Sequence, residues 1–270
     1  LLDSVGLGAS IDNLFTSGKE LGCGGFNCTE PSPRYETALA ALSGGPFAVG
    51  DGDGMTDKEM VMHSCRADGA ILRTTEQLAM LDAGLREGFA DLQEFDVWSA
   101  ATVIGEHRWT FVLSTFLPRA VELTPADLGY SADAQLLAWD KWSSLDAPSL
   151  HGGQLRAVDA AKPLTLRACP HLKNPRAKNW VYTIVAPRTR GTWALIGELN
   201  KVASVSGVRF ESVEATATSL TVRGVGVGGE VLSLGAVAPG AAVQLSVASV
   251  TVGASGSFAH TWGSSKPLKS

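Results

Sequence analysis

Basic residues are few and scattered. The 22 Lys and Arg stand against 27 Asp and Glu, a net charge of −5. No run of them would draw a polyanion or an anionic membrane surface. Long apolar runs are missing too, and none approaches the roughly 18 residues that a membrane helix requires. Composition therefore argues against nucleic-acid binding and against a membrane span. Cysteine is limited to four residues, at spacings that fit no zinc knuckle, and His63, His151, His171 and His260 add no clustered ligands. Neither a metal nor a cofactor is expected. The chain has no Gly-x-Ser-x-Gly elbow, and no Cys has a His partner by local signature. Gly224-Val225-Gly226-Val227-Gly228-Gly229 has no helix after it, so it reads as a β-turn or bulge rather than a nucleotide loop.

What is present is an ordinary globular composition, 45% apolar, over 270 residues. That length makes two domains the default expectation. The chain is organised around residues 32–73. Ser32 is a candidate N-cap with Pro33 at the first helical position, and Tyr35, Ala38, Leu39 and Leu42 recur at helical spacing. Gly44 and Gly45 stop this helix. Residues 46–49 are short, apolar and β-compatible, as a buried parallel strand would be. The loop Gly50-Asp51-Gly52-Asp53-Gly54 follows, and Thr56 with Glu59 predicts a capping box for a second helix. An acidic loop between a buried strand and a helix N-terminus is where α/β enzymes place active-site groups.

Beyond this unit, Leu78, Leu81 and Leu85 predict a helix over 75–87. The character then changes near Phe95. Residues 97–102 and 109–113 predict a hairpin around Gly105-Glu106, and 123–128 a connector with a short helical turn. Strands are expected over 135–142, 154–158 and 163–168, with a second hairpin from 180–186 and 192–198. From Lys201 onward Val, Thr, Ser and Gly dominate, with turn signals every 8 to 12 residues, the mark of a β-sandwich. The expected organisation is an α/β portion over 1–92 and an antiparallel β-sandwich region over 93–270, which the pattern allows to divide again near 200. A few βα units leave strand edges and apolar faces without partners. The α/β portion is therefore expected to be the end of a larger domain. The opening Leu1-Leu2-Asp3, without an initiator Met or a signal peptide, fits a numbering that starts inside a longer product.

Cys23 and Cys28 share one Gly-rich loop and are candidates for a small disulfide. Asn27-Cys28-Thr29 between them is an N-glycosylation sequon. Together they favour a secreted or lumenal setting.

The ordered set of motifs resembles the end of the catalytic (β/α)8 barrel in the α-galactosidase and raffinose-synthase branch of the glycoside hydrolases. The segments that carry the resemblance are Gly45-Pro46, residues 47–49, Asp51, Gly54 and Asp68-Gly69-Ala70-Ile71-Leu72-Arg73. Upstream, Gly6-Leu7-Gly8-Ala9-Ser10-Ile11-Asp12-Asn13-Leu14-Phe15-Thr16 looks like the preceding barrel strand and its loop. Trp193-Ala194-Leu195-Ile196-Gly197-Glu198-Leu199-Asn200-Lys201 sits where such proteins carry a C-terminal β-sandwich. The resemblance implies hydrolysis or transfer of α-linked galactosides by two barrel carboxylates, on strands before the part seen in this sequence. No catalytic residue is carried over. Substrate-lining positions are: Asp51 at the last strand's end, Asp12 from the strand before it, and Asp53 within the same loop. The implied partners are a carbohydrate and the N-terminal part of the barrel, in the same or another chain.

Two other readings compete. The stretch VGDGDGMTDKEM places Asp51, Asp53, Gly54 and Asp57 at the third, fifth, sixth and ninth positions of an EF-hand. Val49 and Met60, however, occupy the first and twelfth, where the end ligands belong. The alternative function is a non-catalytic structural or carbohydrate-binding protein that keeps the glycosidase fold. Trp98, Trp109, Trp139, Trp142, Trp180 and Trp193 fall at strand spacing, which assigns most of them to the core rather than to sugar stacking.

Overall fold

Pro33 opens the first helix as its chemistry dictates, with Ser32 before it. The computed structural model of the chain describes residues 9–17, 30–83, 85–86, 96–145, 153–170, 179–188, 193–240 and 243–263, with residues 9–12 described through their backbone alone. In it α1 spans Pro33–Leu42 with Ser32 at the N-cap, where the fixed φ and missing N–H of proline are at home. The Ser32 hydroxyl makes no cap bond; its N–H donates instead to Glu30 Oε1 at 2.7 Å. Gly44, with φ +71°, turns the chain out of the helix in a conformation that costs glycine little. β2 (Gly44–Val49) leaves from there and pairs in parallel with β1 (Ala9–Leu14). A parallel pair requires a crossover, and α1 lies within it.

The second helix is shorter than a Thr56–Glu59 capping box predicts. α2 covers Lys58–Met62, and Asp57 caps it by accepting from Met60 N–H at 3.2 Å. Asp57 N–H is held by Thr16 Oγ1 at 2.8 Å, and Asp57 stays extended at φ −80°, ψ 102°, so the helix starts after it. The expected helix over 75–87 gives way to β3 (Glu76–Met80). The periodic leucines are overridden by an open strand edge. β3 pairs antiparallel with β4 (Asp96–Ile104), from Glu76↔Ala101 to Met80↔Trp98. Thr75 Oγ1 accepts from Val103 N–H at 2.8 Å, and Arg108 Nη2 reaches Glu76 Oε2 at 2.7 Å. Non-local pairing decides such segments over propensity.

β4 returns through Gly105 to β5 (His107–Thr115), the hairpin the sequence predicts. β6 (Val121–Leu123) and a 3-10 turn at Ala126–Leu128 follow, then β7 (Leu136–Ser143), β8 (Leu155–Val158), β9 (Leu164–Leu166) and β10 (Trp180–Pro187). Six of these strands form one sheet in the order β3-β4-β5-β10-β7-β8, antiparallel at each junction. Its two faces are both covered. One carries Trp109, Phe111, Trp139, Tyr182 and Ile184 into the main core. The other carries Val112, Ala138 and Val185 beneath the β6–β9 ribbon and the 3-10 turn. Burial on both faces explains the nearly unbroken apolar run of β5.

The C-terminal region contains β11 (Ala194–Glu198), β12 (Phe210–Ala215), β13 (Ser219–Val225), β14 (Val231–Val237), β15 (Leu245–Thr251) and β16 (Ser257–Gly263). They form two antiparallel sheets, β11-β14-β15 and β12-β13-β16, whose inner faces meet in the main core. In β13, Leu220 and Val222 are buried while Arg223 is exposed, the alternation of a sheet with one wet face. β10 and β11 do not form the expected hairpin, since β10 lies between β5 and β7 and β11 pairs with β14. β11 crosses over the face of the large sheet instead, where Trp109 Nε1 donates to its Leu195 carbonyl at 2.8 Å. The fold is thus predominantly antiparallel β in sandwich-like layers, and the described strands close no barrel. Trp109, Trp139, Trp142, Trp180 and Trp193 are all buried. Among the described residues no helix is long and apolar enough to cross a membrane.

Candidate functional site

The parallel register ends β1 and β2 side by side. Leu14 lies opposite Val49, and Gly50 N–H donates to the Leu14 carbonyl at 3.0 Å. The next residues of both strands therefore meet at one edge. Thr16 N–H donates to both Asp51 carboxylate oxygens, at 3.0 and 3.2 Å, and the Thr16 hydroxyl donates to Asp51 Oδ2. The same hydroxyl accepts from Asp57 N–H, since one oxygen can donate and accept together. Thr16 is only 1% exposed. This buried threonine locks the loop after β1 to the loop after β2 and to the start of α2. Sequence reasoning gave Thr16 no role of its own, because its partners lie 35 and 41 positions away.

Of the predicted site residues, Asp51 stands half-buried at this edge and Asp53 is exposed. Asp53 lies in the tight turn closed by Met55 N–H to the Gly52 carbonyl at 2.9 Å. Asp12 lies near the end of β1, at the same edge, and its side chain is outside the described residues, as are Asn27, Cys23 and Cys28. Cys65 and Cys169 are free and buried. The carboxylates of the calcium-loop reading have separate tasks: Asp51 accepts from Thr16, and Asp57 caps α2. Among the described residues no group of three His, Cys, Asp or Glu side chains is placed to hold a metal ion.

A second polar cluster, which no local pattern marks, lies where residues 62–74 meet the C-terminal sheets. Arg209, 1% exposed, donates through Nε to Glu198 Oε2 at 2.9 Å and through its fork to Glu230 at 2.7 and 2.8 Å. The two carboxylates respond in opposite directions. Burial lifts Glu198 above the usual carboxylate range against the pull of Arg209. Burial would lift Glu230 too, but hydrogen bonds from Arg209 and from the N–H groups of Val227 and Ala67 bring it down to about 2. The difference follows from donor number, since bonds to the charged form favour it. These two glutamates converge on a guanidinium in the interior, which makes them structural partners of Arg209.

Comparison with known proteins finds no matching protein-family model and no matching curated sequence.

Proposed function

We propose that this chain is the C-terminal portion of a glycosidase-like protein that acts on α-linked galactosides. In this reading β1, α1 and β2 are the last units of a (β/α)8 barrel, and the antiparallel layers after them are its C-terminal β-sandwich region. The chain supplies a substrate-facing wall rather than the chemistry. Asp51 is its centre, with Asp12 and Asp53 beside it, and the nucleophile and acid/base belong to earlier barrel strands. The complete protein would be secreted or lumenal, with Asn27 glycosylated and Cys23 bridged to Cys28.

The observation that carries this reading is the parallel β1–β2 pair with its acidic glycine loop at the carboxyl ends of both strands. Carboxyl ends of parallel strands are where α/β enzymes gather substrate-binding groups. A carboxylate offers about four lone-pair sites. The Thr16 bonds fix the orientation of Asp51 and leave acceptor capacity for a sugar hydroxyl. Retaining hydrolysis needs a second pair of carboxylates about 5–5.5 Å apart, which this reading assigns to strands outside residues 1–270.

A second reading, from a different class, is a non-catalytic structural or carbohydrate-binding protein on the same fold. What favours it is the Thr16–Asp51 bonding itself, which also serves as a strut between two loops. Turnover of an aryl α-galactoside by the full-length product separates the two. The first reading predicts turnover that Asp51→Asn weakens mainly through KM. Sugar binding without turnover would favour the second.

A further inference from the structure

We propose that the turn at Asn200–Val202 is an acid-sensitive joint that holds the C-terminal β-sheets to residues 62–74 and releases them as pH falls. The turn is gripped from two elements at once. From the large sheet, Lys141 donates to the Lys201 carbonyl. From the end of α2, His63 Nδ1 donates to the Asn200 carbonyl, and the His63 carbonyl accepts from Val202 N–H at 2.8 Å. Lys201 reaches back, its Nζ donating to the carbonyls of Met62 and Cys65 at 2.7 Å each. Met62 ends α2, where helix C-termini leave acceptors unpaired, and Cys65 follows in the bridge to Ile71.

Lys141 is where it is because of an irregularity in β7. Tyr182 pairs with Trp142 while Thr183 pairs with Asp140, so Lys141 is the extra residue of a β-bulge. Its ammonium is driven inward, 5.1 and 5.8 Å from the ring centroids of Trp142 and Trp139. Lys141 is 3% and Lys201 4% exposed. The charged groups facing Lys141 are Glu198 from β11, Lys201 from the turn, His63 from α2 and, across the shared Trp142 ring, Arg34 from α1. Glu59 also faces His63. Arg209, Glu230 and Cys65 complete the groups around Lys201. Glu198, the carboxylate that pulls on both lysines, is already bonded to Arg209. The cations outnumber what is left to balance them.

Each base responds in the same direction. Burial lowers Lys141 from 10.5 to about 7, and the pull of Glu198 does not restore it. Burial lowers Lys201 and His63 as well. The unfolded or released form then binds more protons than the closed joint, so the joint loses stability as pH falls. For Lys141 that window runs from about 10.5 down to about 7, and His63 extends it below 6.5.

The test is amide hydrogen exchange of the whole chain at about pH 8.5 and about pH 6, corrected for the intrinsic chemical rates. Protection over 62–73 and 199–206, relative to β5, should fall about tenfold or more, one pKa unit corresponding to tenfold. Lys141→Met should flatten that fall. Protection in the joint that does not change with pH, or falls equally in β5, overturns the proposal, whether or not the variant folds. A folded Lys141→Met protein with the wild-type pH profile overturns it as well.

Discussion

Arg209 sits between two carboxylates with almost no contact with water, so its replacement removes the partner of both at once. Replacing it with Met strips Glu198 and Glu230 of the guanidinium that both are hydrogen-bonded to. The expected cost is about 3–5 kcal/mol, read as a shift in urea midpoint. Gly224 is bound to the same centre. A Cβ placed on it would lie 2.1 Å from the Arg209 carbonyl oxygen and under 3 Å from the Phe258 ring. Since the nearest atom belongs to the backbone, Gly224→Ala should destabilise by several kcal/mol, at the upper end for overpacking. Glu230 sets a pH limit as well. Its folded pKa of about 2 lies below the ordinary 4.5, so the folded state binds fewer protons than the unfolded chain between those values. The stability it contributes is complete above pH 4.5 and is lost as pH falls toward 2. Acid titration followed by circular dichroism should show this loss, and Glu230→Gln should remove that segment of the curve while lowering stability at neutral pH.

At the scale of elements, one tryptophan fixes how two layers cross. Trp109 fills the core below β11 and gives its indole N–H to the Leu195 carbonyl. Trp109→Phe keeps an aromatic ring but leaves that buried carbonyl without its donor, a loss of about 1–3 kcal/mol before any cavity is counted. Thermal denaturation should report it, with the amides of β11 among those most affected. The elements that local chemistry determines were legible in the sequence. Ser32-Pro33 and Gly44 marked α1, Gly105 marked the β4–β5 turn, and the run of 123–128 marked the 3-10 turn. β3 was not legible. Leu78, Leu81 and Leu85 repeat at helical spacing, while the strand's cause is a partner edge 18 to 25 residues away, from Met80↔Trp98 to Glu76↔Ala101. The same holds for β11, which shares its β-rich look with β10 but pairs with β14.

Across the described residues, α1 and α2 lie near the start of the chain, while the antiparallel layers already begin at β3, within the stretch expected to be α/β. The candidate site was legible only in part. Asp51 and Asp53 stood out as an acidic loop after an apolar strand, yet Thr16, which orients Asp51, had no local mark. Lys141, Lys201 and Arg209 were equally silent, because a buried cation looks like any surface one until a bulge or a packed layer encloses it. That acidic edge is proposed to face an α-galactoside. Titration calorimetry of galactose into the full-length protein and into its Asp51→Asn variant tests it most directly. Binding should be measurable and should fall about tenfold or more in the variant, about 1.4 kcal/mol or more, with an unchanged circular dichroism spectrum. Equal binding by both proteins, or none by either, would contradict it.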